Sequence, residues 1–462
     1  MNLITGTDAN TGQPGATMQA VGGMPARRVA VPISLFVGAL YAFGFYGYTL
    51  FLLILASASL IGATRSFTMA YMALFTVLSL FVTGLALGRK RLLRPGFRFL
   101  LQVFWGLYGL RILVDGFLMP LSLRMSSWEY AARALVMTAI PMCAFAGGIS
   151  PRHRKVVLFA FALPLFLSCV FVSVFYGRYI GSSYQTLSYR GVDASILFNG
   201  QDISYAGAML LLMVTWAVST PSRERGRPSR LLALAWVLAV VCGLICLFLG
   251  AGRGAIVAWG AGVGLVAFFQ RGKSLGWRIF LILGPVLLVA VVAVTFVGHG
   301  MMERMIVLVR ARQGQFDQAG DPRTYLWTLA TQLFLDSPLA GTGLEIRELH
   351  AYAHNIILDA FLATGVVGGS VFIIILLVGV RAACRVMRCH PESGWVALLF
   401  VHSACRSMFS DTVYSQAFWF SLVAVVAVSQ AGVRERSFLV GQDPTARRGP
   451  PGSVSVRLGF CG

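Results

Sequence analysis

Acidic residues are scarce in this chain, 17 Asp and Glu against 38 Lys and Arg, and charge of either sign makes up only 12% of its 462 residues. A water-soluble domain carries roughly twice that charge, so a soluble globular class is excluded. Histidine is scarcer still, with six in all. None of the eight cysteines falls in a connection assigned below to the outer face, which argues against a disulfide framework. Cys242 and Cys246, four apart, read as small apolar packing on one helix face. The stretch up to about residue 26 lacks the apolar core of a cleaved signal peptide and reads as a tail.

Apolar residues are abundant, at 57% of the chain. They fall into twelve runs long enough to be read as membrane helices, near 31–62, 67–88, 98–119, 129–148, 155–176, 203–219, 230–249, 254–270, 277–297, 355–380, 395–411 and 414–431. The first run exceeds one span, and Gly38, Gly44 and Gly47 could break it into two short helices; a tilt or kink would absorb the excess equally well.

The net charge of +21 would suit a polyanion such as nucleic acid, but its distribution argues for a membrane instead. Basic residues gather at every second connection: Arg89 to Arg98, Arg152 to Lys155, Arg223 to Arg230, Arg271 to Arg278 and Arg381 to Arg388. The positive-inside rule makes those connections cytoplasmic. Arg27 and Arg28 before the first run, and Arg434 to Arg448 after the last, put both termini on the same side, which requires an even number of crossings. The expected fold is therefore an all-α polytopic membrane protein of about twelve transmembrane helices. It would comprise a tail at 1–30, nine spans over 31–297, a large outer loop at 298–354, three spans over 355–431 and a second tail at 432–462.

Within the outer loop, "DPRTYLWTLATQLFLDSP" reads as an amphipathic helix. Asp321 can cap it, Pro322 suits its first turn, Leu326, Leu329, Ala330 and Leu333 share a face, and Pro338 ends it. In "PLAGTG", Gly341 and Gly343 give the backbone freedom to reverse. Three outward arginines stand apart from the loop charge: Arg190 in "LSYRGVDASILFNGQDISYAG", Arg253 in "LGAGRGAIVAW" and Arg323 at the start of the amphipathic helix. Singly each could be a snorkelling side chain; together they favour an anion, because guanidinium offers a fork of donors to phosphate. Arg111 and Asp115, four apart, are expected to pair and fix helix packing, while His402, Arg406 and Asp411 could line a cavity. His354 stands at the outer mouth of the tenth run, where it is either a satisfied interface histidine or a general base.

Arg323 and Trp327 on a helix, then "SPLAGTG", then His354 and Asn355 before an apolar run containing "ATGVVGG", resemble the O-antigen ligase and Wzy-type polymerase superfamily. The "YRG…FNGQDISYAG" and "GAGRGAIVAW" stretches are similar to that family's other recurring segments, in the same order. The resemblance implies a multi-pass protein of the bacterial inner membrane with its active site facing the periplasm. It implies inverting, metal-independent transfer of a glycan from undecaprenyl diphosphate to an acceptor sugar, with no cofactor. The acceptor would be lipid A-core oligosaccharide for a ligase or another lipid-linked repeat unit for a polymerase. Carried onto this chain, Arg190 and Arg253, with Arg323, would hold the diphosphate, and His354 would activate or orient the acceptor hydroxyl. Asn355, Trp327, Asp202 and Glu345 would support the site, and Asp202, Glu345, Glu348 and Asp359 rank below His354 as bases. A transporter for a lipid-linked sugar is the alternative from another class, but transporters show internal repeats with ligand groups at the bilayer midplane, and neither is visible here. A scaffold whose outer loop binds partners would leave Arg190, Arg253 and His354 unexplained.

Overall fold

A computed structural model describes residues 26–57, 64–87, 93–118, 123, 125–147, 149, 153–177, 200–220, 230–250, 252–269, 284 and 322–441. Arg190, the ninth apolar run apart from residue 284, and the first part of the outer loop lie outside these residues. The described elements are helices, joined at 346 and 351 by one isolated antiparallel bridge. They are α1 (Ala26–Ala42), α2 (Tyr48–Ser57), α3 (Thr64–Leu87), α4 (Pro95–Leu113), α5 (Ser127–Ala131), α6 (Ile140–Phe145), α7 (Arg154–Tyr176) and α8 (Gly200–Ser219). After these come α9 (Arg230–Leu249), α10 (Arg253–Phe269), α11 (Pro322–Asp336), α12 (Ile356–Cys389), α13 (Gly394–Phe409) and α14 (Gln416–Gly441).

Wherever the described residues cover an apolar run, they are largely helical. Six of these helices are long and apolar enough to cross a bilayer: Ser34–Ile54, Pro95–Leu118, Arg154–Tyr176, Gly200–Ser219, Arg230–Leu249 and Ile356–Cys389. Shorter apolar helices cover Ala70–Gly84, Arg253–Phe269 and Gln416–Ala431. The chain is a multi-pass membrane protein.

The first run stays continuous. A π-helical turn over Phe43–Gly47 links α1 to α2, and its loosened ladder leaves the Phe43 carbonyl to accept a hydrogen bond of 2.6 Å from the Tyr71 hydroxyl. Three boundaries differ from the sequence reading: α1 begins inside the expected tail, α14 runs on to Gly441, and α12 extends nine residues beyond 380. Arg381, Arg385 and Arg388 therefore lie on a helix and not in a loop. Arginine near a helix C-terminus is favoured by the helix dipole.

α12 is the centre of the bundle, packed against α4, α11, α13 and α14. α13 and α14 are buried on nearly all sides, with Trp395 to Phe400 and Phe418 to Phe420 consecutively inaccessible. A helix apolar all round belongs in the interior. α9 instead buries one face and leaves Leu231, Leu234, Val237 and Val241 exposed, as a lipid-facing helix does.

Candidate active site

The tenth run was expected as one helix, and the structure corrects this: α12 is broken at Gly365, whose φ of 63° and ψ of −165° are open essentially to glycine alone. The "PLAGTG" turn fills the break. The Leu362 carbonyl, freed from the helical ladder, accepts from Thr342 N at 2.9 Å and Gly343 N at 3.2 Å, and Val366 N donates to the Pro338 carbonyl at 2.7 Å. Gly341 also takes a positive φ, 72°, and the space a side chain would need there is filled by the Leu362 carbonyl. An interrupted helix at membrane depth requires such partners for its orphaned backbone groups.

α11 forms where its sequence predicted it. Its inner face joins a small separate core of Ala330, Ile346, Ala353 and Leu362, with Leu326, Leu329 and Leu333 packed around it. Phe334 meets Phe361 of α12 edge-on at 5.3 Å. Asp115 takes the expected ion pair from Arg111 Nε at 2.9 Å and also accepts from Leu344 N at 3.0 Å, so the pair anchors the loop as well as a helix.

The approach to α12 is tightly specified. The Asn355 side-chain oxygen accepts from Ile357 N at 3.0 Å and Leu358 N at 3.2 Å, a helix cap. Asp359 Oδ1 reaches back to Ala353 N at 3.0 Å. Between these restraints His354 is held at φ 52°, a left-handed conformation that costs a side-chain-bearing residue about 1–2 kcal/mol. Its Nδ1 lies 3.3 Å from the Ser410 carbonyl. A carbonyl can only accept, so Nδ1 carries the hydrogen in this contact, and Nε2 keeps the lone pair whenever the ring is neutral.

Ser410 opens the turn between α13 and α14, and the other candidate segments meet on this turn. Its hydroxyl is 3.4 Å from the Tyr205 hydroxyl of α8. The neighbouring Phe409 packs against the Trp327 ring of α11, centroids 6.4 Å apart, and against Gly254, the residue after Arg253 at the start of α10. Arg323 stands on α11 one turn before Trp327. Arg406 reaches Asp202 Oδ1 at 2.7 Å, lies 3.2 Å from Asp411 Oδ2 and sits over the Tyr205 ring. Beside these pairs a cavity opens, lined in part by Tyr46, Asp202, His402, Ser403 and Arg406. His402 Nε2 contacts the Tyr205 carbonyl at 2.9 Å.

A chain of phenols also reaches His354. The buried Glu345 carboxylate accepts from the Tyr130 hydroxyl. The Tyr130 oxygen is 3.1 Å from that of Tyr352, and the Tyr352 ring meets that of Tyr414 edge-on at 5.9 Å. A phenol has one hydrogen, so with Tyr130 committed to the carboxylate, the hydrogen between the two tyrosines belongs to Tyr352. The Tyr352 ring meets the His354 imidazole edge-on at 6.3 Å.

The structure thus gathers His354, Arg323, Trp327 and the Arg253 end of α10 around one turn. Asp202 joins them as the partner of Arg406, and Glu345 stands behind the tyrosines. Asn355 is beside His354 in a capping role. Sequence reasoning passed over Tyr205, Ser410, Tyr130 and Tyr352. Only the 402/406/411 spacing signalled that the turn matters, since the partner of Arg406 is 204 positions away.

Nothing among curated proteins or solved structures matches the chain. Residues 238–373 match the family model for O-antigen ligase, Wzy_C, and this stretch takes in Arg253, Arg323, Trp327, His354 and the break at Gly365. This segment is similar to the O-antigen ligase family and supports the resemblance to the O-antigen ligase and Wzy-type polymerase superfamily.

Proposed function

We propose that the protein is a periplasm-facing glycosyltransferase of the inner membrane, moving a glycan from undecaprenyl diphosphate to lipid A-core oligosaccharide as an O-antigen ligase does. The observation that carries the reading is His354, fixed by the Ser410 carbonyl at the turn on which the arginine-bearing ends of α10 and α11 converge.

In this reading Nε2 of His354 accepts the proton of the acceptor hydroxyl as its oxygen attacks the anomeric carbon. The bond from that carbon to the diphosphate oxygen breaks on the opposite face, and the configuration inverts. Negative charge grows on the departing diphosphate. Arg190, Arg253 and Arg323 stabilise it more in the transition state than in the ground state, so no divalent cation is needed. The polyprenyl tail enters sideways from the bilayer while both glycans remain outside it.

The test is transfer by purified protein in lipid vesicles supplied with donor and acceptor. His354→Ala and Arg253→Ala should each abolish transfer while the protein still reaches the membrane, and a chelator should leave the wild type unaffected. Full activity in both variants would sink the site assignment, and inhibition by the chelator would sink the metal-independent route. Deleting the coding sequence identifies the acceptor: polymer retained on undecaprenyl diphosphate and missing from lipid A-core marks a ligase. A core bearing a single repeat unit, or loss of an exopolysaccharide, marks a polymerase instead.

A further inference from the structure

We infer that Arg406 is a positioning residue for His354, acting through the Ser410 carbonyl; this rests on the reading of His354 as the base and deepens it. Arg406 holds Ser410 from three directions. Its own carbonyl accepts from Ser410 N at 2.9 Å. Its guanidinium lies 3.2 Å from the carboxylate of Asp411, the next residue, without the alignment of a hydrogen bond. It also covers the ring of Tyr205, whose hydroxyl faces that of Ser410.

Asp202 on α8 supplies the tether from outside, bonding the guanidinium at 2.7 Å and so tying the end of α13 to a neighbouring helix. Asp411 is itself held, accepting from Ser407 at 3.2 Å and Ser415 at 2.9 Å. The guanidinium is therefore matched by two carboxylates and has no charge left for an anionic substrate. Its chemistry is that of a strut: a planar fork that fixes two carboxylates and one ring in a single geometry. The Ser410 carbonyl is the element so fixed, and its partner is His354 Nδ1. A second hydrogen-bonding group that fixes a ring's tautomer and orientation also raises the basicity of the other nitrogen. Arg406 thus sets which nitrogen of His354 bears the proton and where the lone pair of Nε2 points.

The experiment uses full-length protein in lipid nanodiscs. In Arg406→Gln, kcat should fall about tenfold to hundredfold, the usual loss when an orienting partner is removed, with KM for both lipid-linked substrates within about twofold of wild type. Arg406→Lys, which keeps the charge but not the fork, should recover part of kcat. In ¹⁵N-histidine spectra the signal absent from His354→Ala should report a neutral ring protonated at Nδ1, and Arg406→Gln should lose that fixed tautomer. If Arg406→Gln does not reach the membrane, Asp202→Asn, which removes only the outer tether, carries the same comparison. An unchanged tautomer with unchanged kcat, or a loss confined to KM, overturns the inference. If His354→Ala remains active while Arg406→Gln alters the tautomer, the base assignment fails and the positioning holds. If His354→Ala is inactive and Arg406→Gln changes neither readout, the positioning fails and the base assignment holds.

Discussion

The two flanks of His354 are built from different chemistry on different supports. On one side charge is matched by charge: Arg406, Asp202 and Asp411 are carried by α8, α13 and the turn that follows. On the other side phenols from α5 and the outer loop pass hydrogen bonds toward a buried carboxylate, Glu345, with the Tyr414 ring of the turn packed edge-on against them. The first flank meets the imidazole nitrogen through a backbone carbonyl, whereas the second meets the ring edge. The helical flank can therefore set direction and proton placement, and the loop flank can set only where the His354 segment sits. Perturbing the first should appear in kcat, and perturbing the second should appear in stability.

The largest effect expected on the loop flank comes from Gly365→Ala. The backbone there is open essentially to glycine alone, and the space a side chain would need is already filled by the Leu339 carbonyl. Residual strain plus overpacking should cost about 2–4 kcal/mol. The buried free thiols Cys169 and Cys246 provide the readout, because a thiol-reactive dye reports their exposure on heating. A melting temperature equal to wild type would show that the loop does not depend on the break in α12, and the contrast between the flanks would fail.

That break marks where the sequence stopped being legible. α11 could be read from Leu326, Leu329, Ala330 and Leu333 because a face repeating at helical spacing is a local signal, and those side chains do pack on the small core. "ATGVVGG" is apolar on both sides of the interruption, so periodicity continues through it. What makes the interruption stable is the Pro338 carbonyl and the Thr342 and Gly343 amides, which belong to another segment. The same limit applies to the site. The position of His354 at the mouth of a run was visible, as was the Arg111–Asp115 pair at helical spacing. The Ser410 carbonyl was invisible because a backbone group has no sequence signature. Asn355 was grouped with the site by resemblance, although an Asn directly before an apolar helical run is also the ordinary signal for the cap it forms.

Tyr130→Phe is the intermediate perturbation. It removes one hydroxyl without changing the ring that packs between Tyr352 and Tyr414. Glu345 loses a buried donor, and withdrawing a partner from a buried polar group costs about 1–3 kcal/mol. The melt should fall accordingly, while kcat at a temperature where the protein stays folded should remain well above that of Arg406→Gln. A kcat loss as deep as that of Arg406→Gln, with the melt unchanged, would mean that the phenol chain acts on the imidazole directly and would erase the distinction between the flanks.

The smallest effect separates backbone strain from chemistry at the two histidines. His350 and His354 both sit in the left-handed region, at φ 46° and 52°, and only His354 has a contact at the turn between α13 and α14. His350 is exposed, beyond the short helical turn of Arg347–Leu349. Replacing it with glycine relieves about 1 kcal/mol of strain and returns a similar amount through the freer unfolded chain, so stability should change by less than about 0.5 kcal/mol. Transfer should be unaltered. His354→Gly makes the same backbone change, and transfer should vanish. The pair of variants isolates the imidazole, because strain is relieved equally in both. If His350→Gly also lost transfer, the role assigned to the His354 side chain would pass to the strained backbone of the loop.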